Sequence, residues 1–453
     1  MNETVVQTIR DFMTDELPEV FERDLSLGEL QTPAKGNLVN VVVGVRRCGK
    51  TYRLFQEMHQ IVDAGWPRSS ILYFNFEDER LKPYSADLLD DVVSAFFSLN
   101  PDARRDGCFM FFDEIQEVPE WGTFLRRMVD TQKATIFVTG SSSKMLSAQL
   151  ASEFRGRSLS RELFPMGFSE YVRYRGLLDE VPTREESGEG LSSGEEDALR
   201  FALSDFLACG GFIPAQRLAR SEAVQLLQEI ALRTVSLDVI ERHGLKNPSV
   251  AAQFVSRCIA SSGRELSISK VHGAFKSAGV GVARETLSRL LEYYEQAYLV
   301  FPLREFSRSI AQNTRSASKV YAVDPGMLAA FSPAPARDEG QRLETAAFDR
   351  MRRLNPPVRE GGLSRVVVED GSRRLEVDFA TGDALLQEAR ELVQVSSSLA
   401  DESTRKRELR ACTCAMERFG LDTATVVTMD ESDEVRTDVG TIEVVPAWKW
   451  LLD

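Results

Sequence analysis

The clearest chemical pattern is a run of eight residues that fits G-x-x-x-x-G-K-[ST]: Gly44, Val45, Arg46, Arg47, Cys48, Gly49, Lys50 and Thr51. Glycines let backbone N–H groups curl around phosphates at a helix N-terminus. Lys50 would reach the β- and γ-phosphate oxygens, and the Thr51 hydroxyl would ligate Mg²⁺. These eight residues and Tyr52 are therefore predicted to bind ATP and Mg²⁺. For Cys48, a thiol pKa lowered by the lysine and the helix N-terminus is one interpretation, and a small residue that fits the loop is the other.

A second pattern places two carboxylates at the end of a buried strand. Residues 109–112 are all apolar, and Asp113 and Glu114 follow them. Alone, this pattern is more typical of a strand end that meets solvent. Downstream of a phosphate-binding loop, it predicts that Asp113 holds Mg²⁺ through water and that Glu114 orients and deprotonates the attacking water.

Two further candidates lie beyond these carboxylates. The apolar run 135–139 ends in Gly-Ser-Ser-Ser, and Ser141 or Ser142 is predicted to touch the γ-phosphate or the water. The alternative is a polar turn that caps the next helix. Arg157, or with less support Arg155, is a candidate arginine finger in cis or from a neighbouring subunit. Surface salt-bridging is the other interpretation.

Four apolar runs predict the elements that position these residues: 38–43, 71–76, 109–112 and 135–139. Their hydrophobicity is continuous rather than alternating, which is typical of parallel strands covered on both faces. We therefore expect an α/β fold, a P-loop NTPase sheet with helices on both sides.

The rest of the chain predicts two further regions. Between residues 268 and 300, a helix, a Gly-Val-Gly turn, a longer helix and a strand suggest a winged helix-turn-helix. Beyond a Pro/Ala-rich break at 331–340, helices and strands predict a second α/β unit. The stretch 178–197 is rich in Glu, Gly and Ser and predicts an acidic linker.

Charge and composition restrict the function classes. The chain has 453 residues, 43% hydrophobic and 27% charged, which indicates an ordinary globular protein. Most of its net charge of −14 lies in residues 1–40, at −5, and 179–197, at −7, so the charge argues only weakly against nucleic-acid binding. The six scattered cysteines, without a zinc pattern, suggest a reducing compartment. With no secretory signal and no apolar run of membrane-spanning length, we expect a cytoplasmic protein with no membrane partner.

Several motifs in order carry a resemblance to a known family. They are VVVGVRRCGKT, YFNFEDERL, FFDEIQEVPEWGTFLRRMVD, IFVTGSSSKML, ELFPMGFSEY, LACGGFIPA, KVYAVDPGML, RLEVDF and VVPAWKWLLD. The sequence resembles AAA-type ATPases of bacteria and archaea that carry a C-terminal domain of unknown function. The resemblance implies an ATP-binding domain, a winged-helix middle region and a C-terminal fold like that of restriction endonucleases. We therefore expect an ATPase domain (38–177), a helical and winged-helix domain (198–330) and a restriction-endonuclease-like domain (331–453), with an N-terminal helical extension (1–37) before them and the acidic linker between the first two.

In such a nuclease-like fold, cleavage would need two carboxylates for a metal and a lysine two residues after the second. The matching positions are Glu344, Asp378, Gln394 and Ser396. Because Ser396 cannot act as the cation, we expect an inactive domain in which Glu344 and Asp378 hold a scaffold.

The leading hypothesis is an enzyme that hydrolyses Mg-ATP and couples the nucleotide state to C-terminal domains that bind a partner protein or DNA. One alternative is a nucleotide-gated switch with negligible turnover, and another is an ATP-controlled, metal-dependent nuclease. The second helix of the predicted helix-turn-helix carries Arg284 and Arg289 against Glu285, Glu292 and Glu295, a poor match to a polyanion. Assembly into a homo-oligomer stays open.

Overall fold

The computed structural model describes residues 2–141, 156–178, 191–307, 318–334, 338–356 and 362–452. The chain divides into two compact units, Met1–Leu163 and Phe164–Asp453. The sequence placed the end of the ATPase region at residue 177. The division falls earlier because the segment 164–174 packs within the second unit, where Tyr171 donates a 2.6 Å hydrogen bond to Asp205.

The first unit is built on a five-stranded parallel sheet in the order β2-β3-β4-β1-β5. Its strands are β1 (Val39–Val43), β2 (Ile71–Asn75), β3 (Cys108–Asp113), β4 (Ala134–Gly140) and β5 (Ser158–Glu162). Its longer helices are α1 (Glu3–Thr14), α2 (Lys50–Asp63), α3 (Asp87–Leu99), α4 (Pro101–Asp106) and α5 (Trp121–Thr131). Every residue of β1, β3 and β4 is buried, which explains why these strands are apolar along almost their whole length.

The four strands predicted in this unit are confirmed, and β5 is an addition. Its sequence, Ser-Leu-Ser-Arg-Glu, has no apolar run because the strand lies at the edge of the sheet and is partly exposed. The predicted N-terminal helical extension over 1–37 is helical only over Glu3–Thr14. Asn2 caps this helix by accepting a hydrogen bond from the Thr4 N–H, and Pro18 follows shortly after its end.

The second unit begins with helices. They are α6 (Phe168–Tyr174), α7 (Ser193–Cys209), α8 (Arg220–Thr234) with a π-helical continuation over Val235–Glu241, and α9 (Pro248–Ala260). There follow β6 (Arg264–Leu266), α10 (Ile268–Ser277), α11 (Arg284–Gln296), β7 (Val300–Leu303) and β8 (Ser318–Ala322). The three strands form an antiparallel sheet in the order β6-β8-β7.

A six-stranded mixed sheet in the order β13-β14-β12-β11-β10-β9 closes the second unit. The strands are β9 (Leu363–Asp370), β10 (Arg373–Asp383), β11 (Glu388–Val395), β12 (Thr423–Thr428), β13 (Asp433–Arg436) and β14 (Thr441–Pro446). The helices are α12 (Pro325–Phe331), α13 (Glu339–Leu354), α14 (Glu402–Phe419) and α15 (Ala447–Trp450). Cys412 and Met416 of α14 pack with Val377 and Val426 of the sheet in one core. The predicted second α/β arrangement is present.

Three of the sequence motifs meet inside the second unit. The Met166 N–H donates to the Gly211 carbonyl at 2.8 Å, and the Gly211 N–H donates to Asp324 Oδ2 at 2.6 Å. A Cβ atom on Gly211 would lie 1.9 Å from the Met166 carbonyl oxygen, so only glycine fits there. Asp324 also caps α12 by accepting from the Met327 N–H at 3.1 Å. Within the described ranges, no helix is both long and apolar enough to span a membrane.

Candidate nucleotide-binding site

The loop between β1 and α2 carries the phosphate-binding pattern. Gly49 adopts a φ of +105° directly before the first residue of α2, a conformation that favours glycine. At Gly44, a Cβ atom would lie 2.0 Å from the Leu163 carbonyl oxygen, so a side chain would block the close passage of the loop beside the end of β5. The loop therefore leads the backbone N–H groups to the N-terminus of a fourteen-residue helix, the geometry that anions favour.

Lys50 is buried at the start of α2 and points back into the loop. Its Nζ atom donates to the carbonyls of Gly44 at 3.2 Å and Val45 at 3.4 Å, and it lies 3.1 Å from Glu114 Oε1. Burial alone would lower the pKa of Lys50, but the charge and hydrogen bond of Glu114, together with Cys48 and Asp113, outweigh it, so the pKa is raised. A protonated ammonium group therefore sits where the pattern requires a positive charge for phosphate oxygens.

Asp113 ends β3 among three hydroxyl donors. Thr51 Oγ1 donates to its Oδ2 at 2.7 Å, Tyr73 donates to the same oxygen at 3.1 Å, and Thr139 donates to Oδ1. Burial raises the pKa of Asp113, and the neighbouring Glu114 charge adds to this effect. The Thr51 hydroxyl and the Asp113 carboxylate are hard oxygen donors in contact with each other, and such donors suit Mg²⁺ shared with phosphates.

Glu114 follows Asp113 with a φ of +51°, which turns its side chain toward Lys50. Its N–H donates to Thr139 Oγ1 at 2.9 Å, and its Oε2 accepts from Gln116 Nε2 at 2.5 Å. Burial acts to raise the pKa of Glu114, but Lys50 and Gln116 outweigh it and leave the pKa lowered. The carboxylate is thus ionised and held in place beside the phosphate-binding loop.

The other predicted residues of the loop have separate surroundings. Arg46 pairs with Glu77 at 2.7 Å, Arg47 adopts a φ of +64°, and Tyr52 is exposed. The interpretation of Cys48 as a thiol of lowered pKa is wrong. Burial raises its pKa more than Lys50 and Arg23 lower it, so the residue is a small one that fits the loop.

Ser141 and Arg157 end up at different places. Ser141 is buried and follows β4 at the carboxyl edge of the sheet, the edge that carries Asp113. Ser142 and Arg155 lie outside the described residues. Arg157 precedes β5, which runs parallel to β1, so it lies at the amino edge and pairs with Asp130 at 2.7 Å. The prediction that Arg157 acts as an arginine finger in cis is therefore wrong, and its action across a subunit interface stays a prediction.

The structure adds residues that the sequence patterns missed. Thr139 and Tyr73 contact Asp113 from the strands on either side of β3. Only the strand register could have predicted these contacts: Phe112 pairs with Val138, and Tyr73 pairs with Phe111. Arg23, in the segment after α1, has no pattern at all. Its Nη1 atom donates to the Cys48 carbonyl at 2.8 Å, and its own backbone is held by Gln56 of α2 through bonds of 3.0 and 3.2 Å.

The two carboxylates expected in the C-terminal domain, Glu344 on α13 and Asp378 on β10, lie around a lysine together with Glu376. Lys319 Nζ lies 2.7 Å from Asp378 Oδ1, 2.7 Å from Glu344 Oε1 and 3.0 Å from Glu376 Oε1. Ser396 does not supply the cation of this cluster; Lys319 of β8 supplies one, from outside the expected Gln394–Ser396 position. The Gln394 side chain is not hydrogen-bonded to this lysine. Its oxygen accepts a hydrogen bond from the Asp378 N–H at 3.0 Å, and its amide donates to Glu408 at 2.9 Å.

These groups do not fit a metal ion. The ammonium of Lys319 already contacts the carboxylate oxygens that a metal would need, and the Gln394 side-chain oxygen accepts a hydrogen bond from the Asp378 N–H. In the part of the chain that the structure describes, no group of three His, Cys, Asp or Glu residues has the arrangement to hold a metal ion. Ser396 lies outside this cluster, with its hydroxyl donating to the Ser398 carbonyl.

The strand order and the loop define the first unit as a P-loop NTPase fold. Residues 36–172 match the family model described as "AAA domain", so the AAA part of the expected resemblance is confirmed. Residues 200–338 match the model "Domain of unknown function (DUF8612)".

The chain belongs to the same family as "Uncharacterized protein MJ1544" of Methanocaldococcus jannaschii. The two are 33% identical over 424 residues, which cover 92% of this chain and 88% of the relative. An "Uncharacterized protein" of Haemophilus influenzae is 21% identical over 340 residues, covering 75% and 80% of the two chains.

Solved structures give weaker similarities. The Orc1 protein of Aeropyrum pernix in complex with DNA covers 74% of this chain and 92% of its own, at 14% identity and a TM-score of 0.29. Cdc6p of Pyrobaculum aerophilum covers 69% and 88%, at 12% identity and a TM-score of 0.25. TM-scores of this size do not establish a common fold.

Proposed function

We propose that this protein binds and hydrolyses Mg-ATP at the carboxyl edge of the first sheet. The observation that carries the proposal is the direct contact of Lys50 with Glu114 and of Thr51 with Asp113 at the helix N-terminus. Phosphate binding, metal binding and a general base are three separate requirements of phosphoryl transfer, and here they share one site.

In this proposal, the loop N–H groups and Lys50 hold the triphosphate, and Thr51 and Asp113 hold Mg²⁺. The metal supplies charge neutralisation at the phosphate oxygens. Glu114 accepts a proton from the attacking water, for which its ionised state is suited. Ser141 is proposed to contact the γ-phosphate or this water from the end of β4.

Glu114→Gln tests the proposal. Glutamine keeps the size of the side chain but cannot accept the proton, so we expect ATP affinity within about threefold of the wild type and turnover at least about 100-fold lower. Glu29→Gln, an exposed position in the same unit, is the matched control. A wild type that binds ATP through Lys50 without measurable turnover would instead support the nucleotide-gated switch.

We further propose that the nucleotide state reaches a winged-helix region and a restriction-endonuclease-like, inactive domain in the second unit. The order α9-β6-α10-α11-β7-β8, with its three-stranded sheet, supports the winged helix. The helix α11 carries exposed Arg284 and Arg289 together with three exposed glutamates, which favours a protein partner over DNA. All six cysteines are free, which supports a cytoplasmic location.

Measuring ATP turnover against protein concentration, with and without duplex DNA, tests these additions together. If the enzyme is a homo-oligomer, turnover per chain rises with protein concentration. If the partner is a protein, turnover does not respond to DNA. Stimulation by DNA would favour the DNA partner instead.

A further inference from the structure

The Glu114 carboxylate is held by two groups, and only one of them stays with it when a nucleotide is bound. Lys50 lies 3.1 Å from Oε1, and Gln116 donates to Oε2 at 2.5 Å. A triphosphate in the loop would compete for the Lys50 ammonium, since phosphate oxygens are the intended partners of that lysine. Gln116 is then the side chain that continues to fix the carboxylate.

Gln116 is rigidly placed for this task. It lies in the 3₁₀ turn Ile115–Glu117, which follows the left-handed residue Glu114, and the Glu117 N–H closes the turn on the Glu114 carbonyl at 3.1 Å. The orientation of its amide is fixed by chemistry, because a flipped amide would set its carbonyl oxygen against the Glu114 carboxylate.

The other amide atom of Gln116 has a different environment. Its carbonyl oxygen Oε1 is buried and accepts no hydrogen bond from any residue that the structure describes. A buried acceptor without a donor is costly, because it has given up its hydrogen bond to water and gained none in return. The attacking water has two O–H groups. When one of them donates to the general base Glu114, the other can donate to this neighbouring acceptor.

We propose that Gln116 is a positioning residue for ATP hydrolysis, fixing the Glu114 carboxylate with its amide N–H and orienting the attacking water with its carbonyl oxygen. The water oxygen bonds to the γ-phosphorus as the bond to the β-phosphate oxygen breaks, and ADP leaves with that electron pair. One water proton passes to Glu114, and the remaining O–H donates to Gln116. This inference rests on the proposed ATPase function.

Gln116→Leu removes both hydrogen bonds at similar volume, and Gln116→Glu keeps an acceptor but loses the donor. For both variants we expect kcat to fall by about 10- to 100-fold, with ATP affinity, measured with a fluorescent ATP analogue, within about twofold of the wild type. Gln132→Leu, at the end of α5, is the matched control and should change neither quantity. Melting temperatures identify any variant that loses activity through unfolding.

A double variant separates positioning from a structural role. If Gln116 acts through Glu114, adding Gln116→Leu to Glu114→Gln lowers turnover no further than Glu114→Gln alone. Wild-type kcat in Gln116→Leu, weakened ATP binding at unchanged kcat, or additive losses in the double variant would overturn the inference while the ATPase function stands. Absence of turnover in the wild type would instead overturn the function itself.

Discussion

Lys319 Nζ lies 2.7 Å from Asp378 Oδ1, and the two residues belong to different sheets of the second unit. Both side chains are largely buried, and Glu344 and Glu376 also contact the ammonium. Burial alone would lower the pKa of Lys319, but Asp378 and the other nearby negative charges raise it. The lysine thus ties the three-stranded sheet to the six-stranded one.

Replacing this lysine should destabilise the second unit. Lys319→Met leaves the buried carboxylates of Asp378 and Glu344 without the ammonium, while Glu376 keeps its ion pair with Arg365 at 2.8 Å. We expect a cost of about 3–5 kcal/mol. Chemical denaturation followed by tryptophan fluorescence measures the loss. Lys406→Met, an exposed helical pair with Glu402, is the control and should change stability by less than about 0.5 kcal/mol.

The same cluster predicts that the C-terminal sheet does not cut nucleic acid. Plasmid DNA incubated with the wild type and Mg²⁺ or Mn²⁺ should remain intact, because the ammonium holds the carboxylate oxygens that a metal would need. Cleavage that disappears in Asp378→Ala would contradict this prediction.

Lys50→Ala should abolish nucleotide binding. The variant removes the point charge that lies at the helix N-terminus, and we expect ATP affinity to fall by at least about 100-fold in fluorescence titrations. Lys35→Ala, at an exposed position before β1, should bind ATP as the wild type does. Unchanged affinity in Lys50→Ala would mean that the nucleotide binds elsewhere.

Arg23→Ala should weaken nucleotide binding, because Arg23 supports the phosphate-binding loop through the Cys48 carbonyl. The change leaves the Cys48 carbonyl without its donor and costs about 1–3 kcal/mol, shared between loop order and folding. We therefore expect a lower melting temperature and a several-fold weaker ATP affinity, with Arg10→Ala on α1 as the control. Wild-type values for both quantities would show that the loop holds its shape unaided.

Asp324 predicts a pH dependence of stability in the second unit. Burial, together with nearby Asp349, raises the pKa of Asp324 from 3.8 to about 7, although N–H groups including that of Gly211 oppose the shift. Because the folded-state pKa lies above the unfolded one, the contribution of Asp324 is present below about pH 4 and is lost as the pH rises toward 7. The unfolding free energy should fall by up to about 1.4 kcal/mol per pH unit across this window.

Asp324→Asn tests this assignment, because asparagine does not titrate. Between pH 4 and 7, the unfolding free energy of this variant should lack the part of the pH dependence that Asp324 contributes. The variant also loses one of the two oxygens that accept hydrogen bonds from the Gly211 and Met327 N–H groups. A variant with the full wild-type slope would assign the pH dependence to other groups.

The sequence predicted the strands β1 to β4, the phosphate loop and the paired carboxylates because each depends on neighbouring residues. An apolar run and a loop motif are local properties of the chain. Thr139, Arg23 and Lys319 depend instead on strand register and on contacts between distant segments, which leave no local pattern. Arg157 was misplaced for the same reason, since β5 has no apolar run and the sequence therefore does not show that this arginine lies at the amino edge of the sheet.

The bond from Arg23 to the Cys48 carbonyl bears on how the protein is divided for study. The AAA match begins at residue 36, so a chain trimmed to that match would discard the arginine that braces the phosphate loop. It would also expose Arg53, whose Nε atom donates to the Leu25 carbonyl at 2.8 Å. The smallest fragment that retains a native loop therefore starts before Arg23, and ATP affinities measured on the trimmed domain would understate that of the intact chain.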